Sequence, residues 1–128
     1  MVEDRITDGR RIAELLASEL EGREGPLSGA SVTDAVPDAG PSPDGTRAYD
    51  VEYEGTTLAT ALLLPDRVLL EVRARPDRAL EAANELGLRA RPKATDPPRT
   101  LVFVESGAEV KRASDALATL GSEAADRS

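Results

Sequence analysis

Arg47 to Arg75 reads RAYDVEYEGTTLATALLLPDRVLLEVRAR, and this stretch decides the fold. Three alternating apolar/polar runs are separated by two tight breaks, Glu54-Gly55-Thr56 and Pro65-Asp66. Alternation with period two sends successive side chains to opposite faces of a strand, and glycine or Pro-Asp between such runs marks a tight turn. The stretch therefore predicts a three-stranded antiparallel meander. In the first run Tyr49, Val51 and Tyr53 point one way while Asp50, Glu52 and Glu54 point the other, which is a half-buried strand with an acidic, solvated face. The second run, Thr57 to Leu64, is apolar on both faces: Leu58, Leu62 and Leu64 against Ala59, Ala61 and Leu63. That pattern predicts a central strand, or one whose second face lies in a dimer interface. The third run, Arg67 to Arg75, sets Val68, Leu70, Val72 and Ala74 toward the core and Leu69, Glu71, Arg73 and Arg75 opposite. On this phasing Leu58 and Leu62 belong to the core, and Leu63 and Leu69 fall on the face that should be wet.

The flanks supply helices to cover the meander. Residues 7 to 21 read as a helix capped by Thr7 or Asp8, with Ile12, Leu15, Leu16 and Leu20 on one face and Gly22 and Gly25-Pro26 as stops. Residues 22 to 46 form a long connection rich in Gly, Pro, Ser and Asp, expected to be partly disordered or to hold a short edge strand between Ala30 and Val36. After the meander, Pro76-Asp77 opens a second helix with Ala79, Leu80, Ala83 and Leu86 as its stripe. Gly87-Leu88 then matches the Schellman ending. Leu88 to Arg91 reads as a short strand ended by Pro92, followed by the exposed turn Thr95-Asp96-Pro97-Pro98. Thr100 to Glu105 reads as a strand with Leu101 and Phe103 opposite Val102 and Val104. Ser106 to Glu109 matches a capping box that starts a third helix, whose stripe is Val110, Ala113, Leu117 and Leu120 and whose end is Gly121. Residues 122 to 128 read as a disordered tail. The expectation is one α+β domain over residues 1–121, in two layers. An about five-stranded, mainly antiparallel sheet carries three helices on one side, in the order α-βββ-α-ββ-α.

That order resembles the fold of type III secretion chaperones, which are small, acidic and dimeric; the likeness is of element order and charge and involves no motif residue. Two stretches, VEDRITDGRRIAELLASEL from Val2 and TRAYDVEYEG from Thr46, resemble a family of uncharacterised haloarchaeal proteins. That resemblance implies a salt regime and a compartment, and no activity or functional residue.

Composition narrows the chemistry. The 128 residues contain no cysteine and no histidine. Disulfides, thiolate metal sites, cysteine nucleophiles, Ser-His-Asp triads and histidine–metal chemistry are therefore excluded. An enzyme would have to rely on carboxylates, Tyr49, Tyr53 or a lysine, and no motif assembles them, so a non-enzymatic protein without a cofactor or metal is expected. Asp50, Glu52 and Glu54 alternate along one strand face and could bind a hard cation, but the calcium-loop spacing is missing, and a solvated acidic face is the simpler reading. Glycine-rich phosphate motifs are absent. The strand-to-helix junction at Glu105-Ser106-Gly107-Ala108 has the shape of an anion site, but its capping box would use the free N–H groups.

Sixteen basic residues against twenty-four acidic give a net charge of −8. Lysine is nearly absent, with only Lys93 and Lys111. Acid excess with little lysine suits a salt-adapted protein in which high salt screens self-repulsion. No apolar run is long enough to span a bilayer, and the acidic start has no signal-peptide core, so a cytoplasmic protein with no membrane contact is expected. The charge is uneven: residues 61 to 93 carry seven basic and five acidic side chains, whereas residues 1 to 60 carry five and thirteen. Arg73 and Arg75 share one strand face by period two, as do Arg89, Arg91 and Lys93. Were those strands neighbours, five cations would converge on one sheet face. They could bind an anionic partner, or simply pair with carboxylates of this chain or of a second copy. Nucleic acid is disfavoured by the overall charge and by the lack of interleaved aromatics. The expected partner is a second copy of the chain, with an unidentified protein as the other candidate. The candidate interaction face comprises Leu63, Leu69, Arg73, Arg75, Arg89, Arg91 and Lys93.

Overall fold

A computed structural model describes residues 8–22, 30–95 and 97–126. Thr7, residues 23–29 of the long connection, Asp96 of the Pro-rich turn and residues 127–128 of the tail lie outside them. The order is α1 (Gly9–Glu21), β1 (Ala30–Thr33), β2 (Thr46–Tyr53), β3 (Thr56–Leu63), β4 (Val68–Val72), α2 (Pro76–Glu85), β5 (Arg89–Lys93), β6 (Arg99–Val104) and α3 (Val110–Asp126). Six strands form one sheet in the order β1-β2-β3-β4-β6-β5, and every neighbouring pair is antiparallel. The predicted meander is β2-β3-β4. The sixth strand is β1, which pairs Ala30 with Tyr53 and Val32 with Val51 on the free edge of β2. β4 and β5 run parallel, joined through α2, and β6 inserts between them.

The helices cover one face. Tyr49, Val51 and Tyr53 of β2 lie in the core with Ala59, Ala61 and Leu63 of β3, Val68, Leu70 and Val72 of β4, and Val102 and Val104 of β6. Against them pack Ile12, Leu16 and Leu20 of α1, Ala79 and Ala83 of α2, and Ala113, Leu117 and Leu120 of α3. Tyr49 donates its hydroxyl hydrogen to the Ala13 carbonyl at 2.7 Å, which ties β2 to α1 and satisfies a buried polar group. Burial, with the Glu21 charge second, pushes its phenol well above the ordinary value.

Helix ends follow their sequence signals in part. Asp8 caps α1, its carboxylate accepting from the Arg10 and Arg11 amides at 2.9 and 3.3 Å. Gly87, at φ 74°, and Leu88 close α2 by donating to the Asn84 and Ala83 carbonyls, the Schellman arrangement. The capping box does not form. Ser106 caps nothing with its side chain, a 3-10 turn over Gly107–Glu109 precedes α3, and the Glu109 carboxylate accepts from the Glu105 amide at 2.8 Å.

Two element boundaries and one register differ from expectation. α3 continues through Gly121 to Asp126. Gly121 is there because a Cβ would collide with the Tyr53 ring; it serves close packing and does not stop the helix. Pro92 lies inside β5, opposite Thr100. β5 is an edge strand, so a missing N–H can face outward without breaking a ladder bond. The alternation in β3 is interrupted by a bulge. Val51 pairs with Ala59 but Glu52 pairs with Thr57, which leaves Leu58 as the extra residue, buried in the core beside Ala59.

Candidate interaction face

The bulge re-phases β3 and so decides what the second face of the sheet carries. Beyond Leu58, the covered positions are Ala59, Ala61 and Leu63, and Leu62 turns to the other side. Leu63 is therefore a core residue at 2% exposure, contrary to its expected place on the wet face. The turn confirms the register. The Leu64 amide donates to the Arg67 carbonyl at 3.0 Å, so Leu63 stands opposite Val68 and must share its face.

Among the described residues no helix packs on this second face. Its centre is a row across five strands in which Arg47 pairs with Leu62, Leu62 with Leu69, Leu69 with Phe103, and Phe103 with Arg89. The next row runs Thr33, Asp50, Thr60, Glu71, Leu101 and Arg91. Leu62, Leu69 and Phe103 are half-buried. The Arg91 guanidinium lies 5.7 Å from the Phe103 ring centroid, within cation–π range.

Ion pairs hold the surrounding polar groups. Glu71 accepts from Lys93 Nζ at 2.6 Å and from Arg99 Nη1 at 2.8 Å. The bond from Lys93, then its charge and the contact from Arg99, outweigh burial and hold the Glu71 carboxyl below the ordinary glutamate value. Arg73, just past β4, donates to Thr60 Oγ1 at 2.7 Å, and Thr60 donates to Asp50 at 2.9 Å, a relay that reaches from β3 to β2. Arg47 also donates to Asp50 at 3.0 Å. Burial raises the Asp50 carboxyl, but the bonds from Arg47 and Thr60 and the Arg47 and Arg73 charges together bring it below the ordinary value. Glu105 lies between Arg67 at 2.8 Å and Arg89 at 3.4 Å.

The cations expected to converge do so only in part. Arg73, Arg89, Arg91 and Lys93 share the helix-free face, but β6 separates β4 from β5, and Glu71 sits among them. Arg75 leaves the group. It adopts a left-handed φ of 43° ahead of α2 and reaches Glu123 of α3 at 3.3 Å, on the helix side. Residues missed by sequence reading are Leu62, Leu101, Phe103, Arg47 and Arg99. The signal for Leu62 was available in the Pro65-Asp66 turn, since pairing across it equates Leu62 with Leu69. The Asp50, Glu52 and Glu54 trio does not act as one group: Asp50 holds Arg47 and Thr60, Glu52 accepts from Thr33 at 3.1 Å, and Glu54 lies in the turn at φ 48°. Among the described residues no three carboxylate, histidine or cysteine side chains gather as a metal site, and no helix is long and apolar enough to cross a membrane.

A concavity of about 380 Å³ lies on the helix side, between α1 and the loop before β2. Ala13, Ala17, Val32, Ala39 and Leu63 are among its lining, and Val36, 42% exposed, stands at its side.

A model of a family of unknown function, DUF7993, matches residues 1–128, and the chain belongs to that family. No curated protein and no solved structure matches it.

Proposed function

We propose that this DUF7993 protein is a non-enzymatic protein-interaction module that works as a homodimer through the helix-free face of its sheet. One observation carries the reading: the row Leu62, Leu69 and Phe103 crosses the centre of a sheet face that no helix covers among the described residues. A two-layer domain normally solvates that face with polar side chains, and an apolar row ringed by charge is the composition of an interface. Lack of cysteine and histidine agrees with a role in binding. The alternative, an anion-binding surface for nucleic acid or another polyanion, has less support. Lys93, Arg99 and Arg89 already hold Glu71 or Glu105, and a polyanion would have to displace them.

Light scattering on a chromatographed dilution series tests the reading. A mass twice the 13.5 kDa of the chain, dissociating on dilution, is expected. A single-chain mass at every concentration would overturn it.

A further inference from the structure

The helix-free face is not uniform in charge, and its polarity dictates how two copies could meet. Six strands divide into halves between β3 and β4, at the Leu62–Leu69 pair. On the first half the strand-borne ionisable side chains of this face are Asp50 and Glu52 with Arg47. On the second half they are Arg89, Arg91, Lys93 and Arg99 with Glu71. The face is thus acidic toward β1 and β2, basic toward β5 and β6, and apolar at its middle.

Two copies packed face to face through a twofold axis have two simple choices. An axis perpendicular to the strands lays each half over its own equivalent, so the β5 and β6 cations meet themselves. An axis parallel to the strands exchanges the halves. It lays Asp50 and Glu52 of one copy over the cationic half of the other and seats Leu62 over Leu69 at the seam. Like charges in apposition are strongly disfavoured, whereas opposite patches steer and fix register. Resting on the homodimer proposed above, we infer that the dimer axis runs parallel to the strands between β3 and β4, with Glu52 of β2 facing Arg99 of β6 in the other copy, since the two lie in the same row of the sheet. Arg99 suits that role: one guanidinium nitrogen holds Glu71 at 2.8 Å, and a guanidinium carries five N–H donors, enough to take a second carboxylate.

Charge reversal tests the axis. Glu52→Arg and Arg99→Glu are compared separately and mixed, in about 0.1 M salt, where charges still interact over about 10 Å. Each variant alone is expected to weaken dimerisation by about tenfold or more. Mixing the two should restore wild-type affinity as a heterodimer, since one copy is then basic and the other acidic at both positions. Thermal melts and circular dichroism establish that each variant is folded, and Glu52→Gln with Arg99→Gln supply a milder pair: each alone should weaken the dimer, and their mixture, which regains one of the two ion pairs, should recover part of the affinity. A wild-type dimer indifferent to both reversals, or weakened without rescue on mixing, overturns the axis and leaves self-association standing. A wild-type monomer overturns both.

Discussion

Gly121 and Glu71 show how single residues are fixed by what lies across from them. Gly121 sits inside α3, where alanine should gain about 1 kcal/mol of helix propensity. A methyl there would strike the Tyr53 ring, and overpacking costs about 1–3 kcal/mol. Contact wins over propensity, so Gly121→Ala should lower the urea midpoint, and a raised midpoint would show that the helix is not so close to β2. Glu71, its side chain 13% exposed, holds two cations. Glu71→Gln should destabilise by about 1–3 kcal/mol near neutral pH. Its folded pKa lies below the ordinary 4.5, so the stabilisation is complete above that value and disappears as pH falls through the folded one. The gap in unfolding free energy between wild type and Glu71→Gln should therefore be widest near neutrality and close as pH falls below the ordinary glutamate range; a gap that stays constant into acid would assign the loss to something other than the charge.

At the scale of elements, β3 separates what the sequence makes legible from what it does not. The meander, the caps of α1 and α2 and the faces of β4 and β6 follow from periodicity and turn chemistry, which are local. The phase of β3 does not, because Thr57 to Leu63 is apolar on both sides and the Leu58 bulge breaks its alternation. Period two counted from Leu58 sends Leu62 inward; period two counted back from Val68 through the turn sends Leu63 inward, and the structure follows the second. Similar limits left β1 as one of two alternatives for Ala30 to Val36, since its four residues Ala-Ser-Val-Thr offer only a weak pattern, and made Gly121 and Pro92 read as stops when one is a packing contact and the other an edge position. The interaction face was half legible: Leu69 and the β5 cations could be placed, but that β6 separates them from β4 is a fact of topology. The two leucines give a direct contrast. Leu63→Ala should cost about 2–5 kcal/mol in urea unfolding of dilute protein, as a buried leucine does. Leu62→Ala, half-buried on the helix-free face, should cost about 1 kcal/mol or less there. Equal costs would contradict the register across the Pro65-Asp66 turn.

For the whole molecule, a net charge of −8 over a small domain means that the copies repel one another and each chain repels itself. Added salt screens this, so the thermal midpoint should rise from low to molar potassium chloride; a falling midpoint would mean that attractive ion pairs dominate. Against that repulsion, association needs a surface where apolar contact and local charge complementarity combine, and the helix-free face offers both. The groove beside Val36 on the helix side is the competing site. Sedimentation equilibrium on Leu69→Glu and Val36→Asp separates the two faces directly. Leu69→Glu should be monomeric and folded while Val36→Asp stays dimeric; a dimeric Leu69→Glu with a monomeric Val36→Asp would place the interface on the helix side of the molecule.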